Sequence, residues 1–112
     1  MLISVVDDDE SVRESLPDLL RELGFEVEAF ASAEQFLESR ALGVTDCLVL
    51  DVAMPGMSGI ALQRELRDRG SEIPIVFITA YSDEIARPSP CLTKPFSDQA
   101  LLDAVNLALE RQ

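Results

Sequence analysis

The sequence predicts an α/β domain built on a doubly wound, five-stranded parallel sheet, and three observations carry that expectation. Short and almost continuously apolar runs recur, "LISVV" at 2–6, "CLVL" at 47–50 and "IVFI" at 75–78, as strands covered on both faces of a parallel sheet do. Stretches with helical spacing of apolar residues lie between them. Polar residues suited to chemistry follow the strand ends, where open α/β sheets bind ligands.

Each element has its own local warrant. After the first strand, Val12, Leu16, Leu20 and Leu23 recur at spacings of four, four and three along one helix face, and Gly24 follows as a C-terminal cap. Pro17 is a misfit inside that helix, where it removes one backbone hydrogen bond and is expected to kink it. In "FEVEAF", Phe25, Val27 and Ala29 alternate with Glu26 and Glu28, which predicts a strand with one face in water at a sheet edge. Ser32 caps a short helix carrying Phe36 and Leu37, and Ser58 and Gly70 bracket another carrying Leu62 and Leu66. A weak fifth strand, "CLT" at 91–93, precedes a last helix defined by Leu101, Leu102, Val105 and Leu109. The order is therefore β-α-β-α-β-α-β, a short link, and β-α.

Composition narrows the functional classes. At 112 residues the chain forms one domain that buries roughly two thirds of its unfolded surface. Its formal charge of −12 argues against direct nucleic-acid binding, because phosphates attract Lys and Arg, and suits a module that meets cations or basic surfaces. No apolar run approaches the roughly 20 residues of a membrane helix, and "MLISVV" lacks the basic start and length of a signal peptide. No membrane association and a cytoplasmic location are the expectations. Cys47 and Cys91 each open a short apolar segment and read as buried thiols rather than a disulfide or metal site.

The chemistry gathers at one rim. Asp7, Asp8 and Asp9 follow the first strand, Asp51 ends the third, Thr79 ends the fourth and Lys94 follows the fifth. Each alone has an ordinary explanation: a helix-start acid, a proline-glycine turn after Asp51, a β-branched strand residue, a surface charge. Their convergence on the carboxyl ends of parallel strands does not. Crowded carboxylates stay ionised only beside a compensating cation. An oxygen-only set without His or thiolate favours a hard ion, Mg²⁺ most naturally. Together with the Lys94 ammonium, such an ion would neutralise Asp7, Asp8 and Asp51 and prepare the rim to receive a phosphoryl group. Asp51 is the candidate nucleophile, forming an acyl phosphate.

The segments "VVDDDES", "LVLDVAMPGMSG", "VFITA" and "LTKPF" resemble the receiver domain of bacterial two-component response regulators, the CheY-like superfamily, over almost the whole chain. "VVDDDESVRESL" and "FASAEQFLES" are most similar to the nitrogen-fixation branch. The resemblance implies a flavodoxin-like sheet of order 2-1-3-4-5 and a single receiver domain over 1–112 with no effector domain. It implies that Asp51 is phosphorylated by a sensor histidine kinase or a histidine phosphotransfer protein. Asp8 and Asp51 would bind Mg²⁺ directly, Asp7 through water, and the carbonyl of Ala53 would be a further ligand. Thr79 would turn its hydroxyl to the phosphoryl group and Lys94 would pair with its oxygens. Asp9 has no family role and is read as a helix-start acid. Gly56 and Gly59 are turn residues, Pro95 follows a peptide bond that is usually cis, and Ala53 and Tyr81 flank the pocket that tunes phosphoryl lifetime. Such a domain promotes its own phosphorylation and dephosphorylation without being a conventional enzyme, and signals to a downstream protein partner. The sequence fixes no particular oligomeric state.

Two departures stand out. The span from Thr79 to Lys94 is about seven residues shorter than in the family, on a connection whose usual minimum is about ten to twelve. Pro88 and Pro90 forbid a regular helix near its end. The family's fourth helix is therefore expected to be short or absent, at most one turn around 83–86, with 81–90 mobile or extended. Cys91 stands where the family usually has a Tyr or Phe that reports the movement of the Thr. Both departures fall on the output face. A stand-alone receiver acting as phosphate sink, shuttle or brake is the favoured reading, with a receiver fragment of a DNA-binding regulator and a non-phosphorylated pseudo-receiver as alternatives. A Mg²⁺-dependent phosphohydrolase would normally need a larger chain with a cap, and a flavin module would need a hydroxyl- and glycine-rich loop where the acids stand.

Overall fold

Alternate residues of the central strands pack against opposite faces of one sheet, and this is why the runs are apolar throughout. The computed structural model describes residues 1–79, 91–94 and 96–110, Cys91 by its place in the strand alone. The strands are β1 (Leu2–Val6), β2 (Glu26–Phe30), β3 (Cys47–Asp51), β4 (Ile75–Thr79) and β5 (Cys91–Thr93). They are all parallel, in the order β2-β1-β3-β4-β5. Val49, Val76 and Ile78 join a core layer with Leu16, Leu20, Leu101 and Val105, while Leu48, Leu50 and Phe77 join a second with Phe36, Leu62 and Leu66.

The helices form where caps and apolar stripes place them. α1 (Glu10–Glu22) is capped by Asp9, whose side chain accepts from the Ser11 N–H, and is followed by Gly24 at φ +98°. It continues as one helix through Pro17, which is buried. α2 (Ala33–Leu37) is capped by Ser32, α3 (Gly59–Asp68) by Ser58, and α4 (Asp98–Glu110) closes the fold. The residue spacing did not anticipate the 3₁₀ turn at Arg40–Gly43. Its local anchors are the Ser39 cap and a buried chain of hydroxyls from Ser4 through Thr45 to the Ala41 carbonyl.

Edge strand β2 departs from the expected alternation at one position. Val27 is buried and Glu26 and Glu28 are exposed, yet Ala29 is exposed as well. No strand lies beyond it among the described residues, and a single methyl group is too short to reach the cover that Val27 finds. Phe30 turns to the other face and meets the Phe36 ring edge-on, with centroids 5.5 Å apart.

Cys47 is a buried thiol, as expected. Burial, and then the charge of Asp46, push it up to about 12. The Cys91 side chain, Tyr81, Pro95 with its peptide bond, and the expected shortening of the helix between β4 and β5 all lie outside the described residues. Among the described residues no helix is long and apolar enough to cross a membrane.

Candidate functional site

The register of the sheet assembles the site. Val6 of β1 lies beside Leu50 of β3, so Asp7 and Asp51 reach the rim at the same level from adjacent strands. Asp7 is fully buried, and its N–H donates to the Phe30 carbonyl at 3.1 Å. Its Oδ1 accepts from the Asp9 N–H at 2.8 Å, and its Oδ2 from the Lys94 ammonium at 3.0 Å. Asp8 is exposed between Asp7 and the capping Asp9. One carboxylate oxygen from each of Asp7, Asp8 and Asp51 lies within 4.8 Å of the others.

Asp51 is held by the connection that leaves β3. It is only 6% exposed, and its Oδ1 accepts from the Ala53 N–H at 3.3 Å. The chain then turns at Gly56, φ +75°, buries Met54, and enters α3 at Gly59, whose N–H donates to the Val52 carbonyl at 3.0 Å. Gly59 is thus the first residue of a helix rather than part of a turn. A Cβ there would collide with the Asp51 carbonyl oxygen, so the close seating of α3 against the end of β3 requires glycine.

The β4–β5 side supplies the cation and the hydroxyl. Thr79 is buried at the end of β4 beside Thr93, and its carbonyl accepts from the Lys94 N–H at 2.7 Å. This fixes Lys94 at the rim, where its ammonium spans to Asp7, 87 residues away in sequence.

The electrostatics record two buried carboxylates facing one ammonium. Burial, then the Asp7 charge, push the Asp51 carboxyl up to about 7, with Asp8 adding to them and Lys94 and the Ala53 N–H opposing. Burial pulls the Lys94 ammonium down, but the hydrogen bond and charge of Asp7, with Asp51 and Asp9 behind, outweigh this and leave it above its ordinary value. A rim with surplus negative charge and oxygen-only donors fits a hard divalent cation such as Mg²⁺.

The structure thus brings Asp7, Asp8, Asp51, Thr79 and Lys94 to one rim, with Ala53 bonded to Asp51 through its N–H. Tyr81 and Pro95 lie outside the described residues, and Cys91 is placed only as the first residue of β5. Arg13 escaped the sequence reading. Its Nη1 donates to the Asp7 carbonyl at 3.0 Å, and the available signal was a cation one turn into a helix that starts from an acidic run.

Comparison with known proteins agrees with this geometry. Residues 3–106 match the response regulator receiver domain. Nodulation protein W of Bradyrhizobium diazoefficiens is 47% identical over 117 residues, covering 98% of this chain and 52% of that protein. Response regulator protein TodT of Pseudomonas putida is 40% identical over 116 residues, covering 97% and 51%. The chain spans about half the length of these curated relatives. The alignment with Nodulation protein W covers more positions than this chain has residues, so that relative carries additional residues within the matched span. Among solved structures, response regulator StyR superposes with a TM-score of 0.89 at 51% identity, covering 98% of this chain and 59% of that one. FIXJ-N gives 0.84 at 34%, covering 99% and 94%. Since the matched span holds four strands whole, all of β1 but Leu2, and every residue of the rim, the chain belongs to the response regulator receiver domain family of two-component signalling.

Proposed function

We propose that this receiver accepts a phosphoryl group on Asp51 from a sensor histidine kinase or a histidine phosphotransfer protein. The observation that carries the proposal is Asp51 itself, a nearly buried carboxylate with two others inside 4.8 Å and one ammonium held at the same rim. An Asp51 carboxylate oxygen attacks the phosphorus of the phosphohistidine and an O–P bond forms. The P–N bond breaks, and the imidazole leaves with its electron pair and takes up a proton.

Family members typically bind Mg²⁺ in this acidic pocket, where it compensates charge on the phosphoryl oxygens. Here Asp8 and Asp51 would hold it directly, Asp7 through water, and the Ala53 carbonyl would complete the set. Lys94, kept protonated by its neighbours, moves between Asp7 and a phosphoryl oxygen, and the Thr79 hydroxyl donates to another. By the family resemblance, Tyr81 and Ala53 would flank the pocket where lifetime is tuned, Pro95 would follow the usually cis peptide bond, and Cys91 would stand in place of the aromatic reporter of the Thr79 movement. The same residues promote both gain and loss of the phosphoryl group, in the cytoplasm.

Incubation with Mg²⁺ and acetyl phosphate, read by intact mass, tests the assignment. The native protein is expected to gain one phosphoryl group and Asp51→Asn none. An adduct that persists in Asp51→Asn, or never forms on the native protein, overturns it.

For output, one observation favours the receiver portion of a larger regulator over a stand-alone sink, shuttle or brake. The matched relatives are about twice as long, among them transcriptional regulatory protein TdiR of Thauera aromatica, 42% identical and half covered. A native reading frame that stops at Gln112 would restore the stand-alone reading.

A further inference from the structure

We propose that Arg13 is a positioning residue for the acidic pair, holding the peptide that aims the Asp8 carboxylate at the metal site. The role rests on the reading of Asp7, Asp8 and Asp51 as that site. Asp8 is the one exposed member of the cluster, and the direction of its side chain is set by the two peptide planes on either side of its Cα. The plane between Asp8 and Asp9 is held by the Asp9 N–H on Asp7 Oδ1, at 2.8 Å. The plane between Asp7 and Asp8 is held by Arg13 Nη1 on the Asp7 carbonyl, at 3.0 Å. Among the described residues each plane has one grip, and the second is Arg13.

The grip is needed because the chain has left the sheet. β1 pairs with both neighbours as far as Val6, so the Asp7 carbonyl is past the ladder, and water would satisfy it without fixing its direction. Arg13 reaches it from the turn of α1 that Asp9 begins, since the Arg13 N–H bonds to the Asp9 carbonyl at 3.1 Å and the Asp9 side chain caps the helix. One acid therefore sets where the arginine stem starts, and the arginine sets where the neighbouring acid points. A guanidinium suits this task better than an ammonium. Its hydrogen bonds are charge-assisted, it never deprotonates, and its planar donors come in a fixed orientation.

The test is a calorimetric Mg²⁺ titration of the wild type, Arg13→Gln and Arg13→Lys, with thermal melts and amide exchange at Asp8 and Asp9 in metal-free protein. Arg13→Gln is expected to weaken the Mg²⁺ Kd about tenfold, the low end for loss of an outer-shell partner, and to speed exchange at the two amides. Arg13→Lys keeps the charge but not the fork, and is expected to lose about threefold. A folded Arg13→Gln protein within twofold of a wild type that binds would reduce Arg13 to a structural role and overturn the proposal. So would Arg13→Lys equal to wild type beside a weakened Arg13→Gln, since charge alone would then explain the loss. A wild type that binds no Mg²⁺ would instead overturn the metal reading, and this role with it, in the first titration.

Discussion

The two sides of the rim differ in how firmly their strands are built. On the β1–β3 side the strands are five residues long, and the two acids they deliver are buried, are bonded to nearby backbone and lead into capped helices, α1 directly and α3 after the turn at Gly56. On the β4–β5 side, Thr79 leaves a five-residue strand, but Lys94 leaves one of three residues that pairs with β4 at three positions. The proposed nucleophile and metal ligands thus sit on the firmly packed side, and the ammonium that would change partners in the proposed reaction sits on the lighter one. The departures from the family's wording fall on that lighter side too, between Thr79 and Lys94.

The most severe break on the firm side is Gly59→Ala. Every atom the new Cβ would meet is backbone of Asp51 or Val52, so no side chain can rotate away and α3 has to shift. A cost of about 3 kcal/mol, the upper end for overpacking, corresponds to a fall in Tm of more than about 10 °C in a domain of this size. Gly43→Ala is the control, since nothing lies within 4 Å of its Cβ. Equal melting temperatures for the two variants would show that α3 is not seated on the Asp51 backbone.

Much of this contrast was legible in the sequence, for physical reasons. A buried parallel strand shows all its residues to apolar neighbours, so 2–6, 47–50 and 75–78 identified themselves, and a residue at or just past a strand end is automatically at the rim. Asp7, Asp8, Asp51, Thr79 and Lys94 needed no more than that. Caps are equally local, which is why Asp9, Ser32 and Ser58 were readable. Interactions decided in three dimensions were not. The Lys94–Asp7 pair joins residues at opposite ends of the chain, Arg13 acts by reaching backwards along its helix, and Gly59 looked like a turn because the carbonyl it must clear belongs to β3. The strand order came from family wording, since apolar periodicity cannot say which strand neighbours which.

A subtler probe of the firm side lies at the start of β3. Cys47 has its thiol pushed from 9.0 to about 12, first by burial and then by Asp46. A raised acid pKa means that the folded state keeps the proton while the unfolded state gives it up. The stabilisation is fully present below pH 9 and lost as pH climbs toward 12. Cys47→Val, apolar and without an ionisable proton, has no such dependence, so comparing the pair cancels every other alkaline titration. Relative to Cys47→Val, the wild type is expected to lose about 2 kcal/mol between pH 8 and pH 11 in urea unfolding. A constant difference across that range would mean that the thiol meets water in the native state, and that β3 opens at its first residue.

The smallest effect belongs to the lighter side, and it is the one that tests the comparison most directly. Leu92 is the middle residue of β5, half-buried and packed against the layer formed by α1 and α4, whereas Leu50 of β3 is fully buried in the other layer. The same substitution to Ala removes the same atoms from both. At Leu50 the surrounding side chains cannot collapse, and about 3 kcal/mol is expected from lost transfer and a residual cavity. At Leu92 part of the side chain already meets water and the edge strand can relax into the gap, so the cost falls to about 1 kcal/mol. Paired urea titrations decide it. Equal losses at the two positions would mean that β5 is as integral to the core as β3, and that the change of partner proposed for Lys94 must come from its own side chain alone. The expected inequality means that the strand can yield with it, which in the proposed reaction would let the ammonium leave Asp7 for a phosphoryl oxygen without straining the acids proposed to hold the metal.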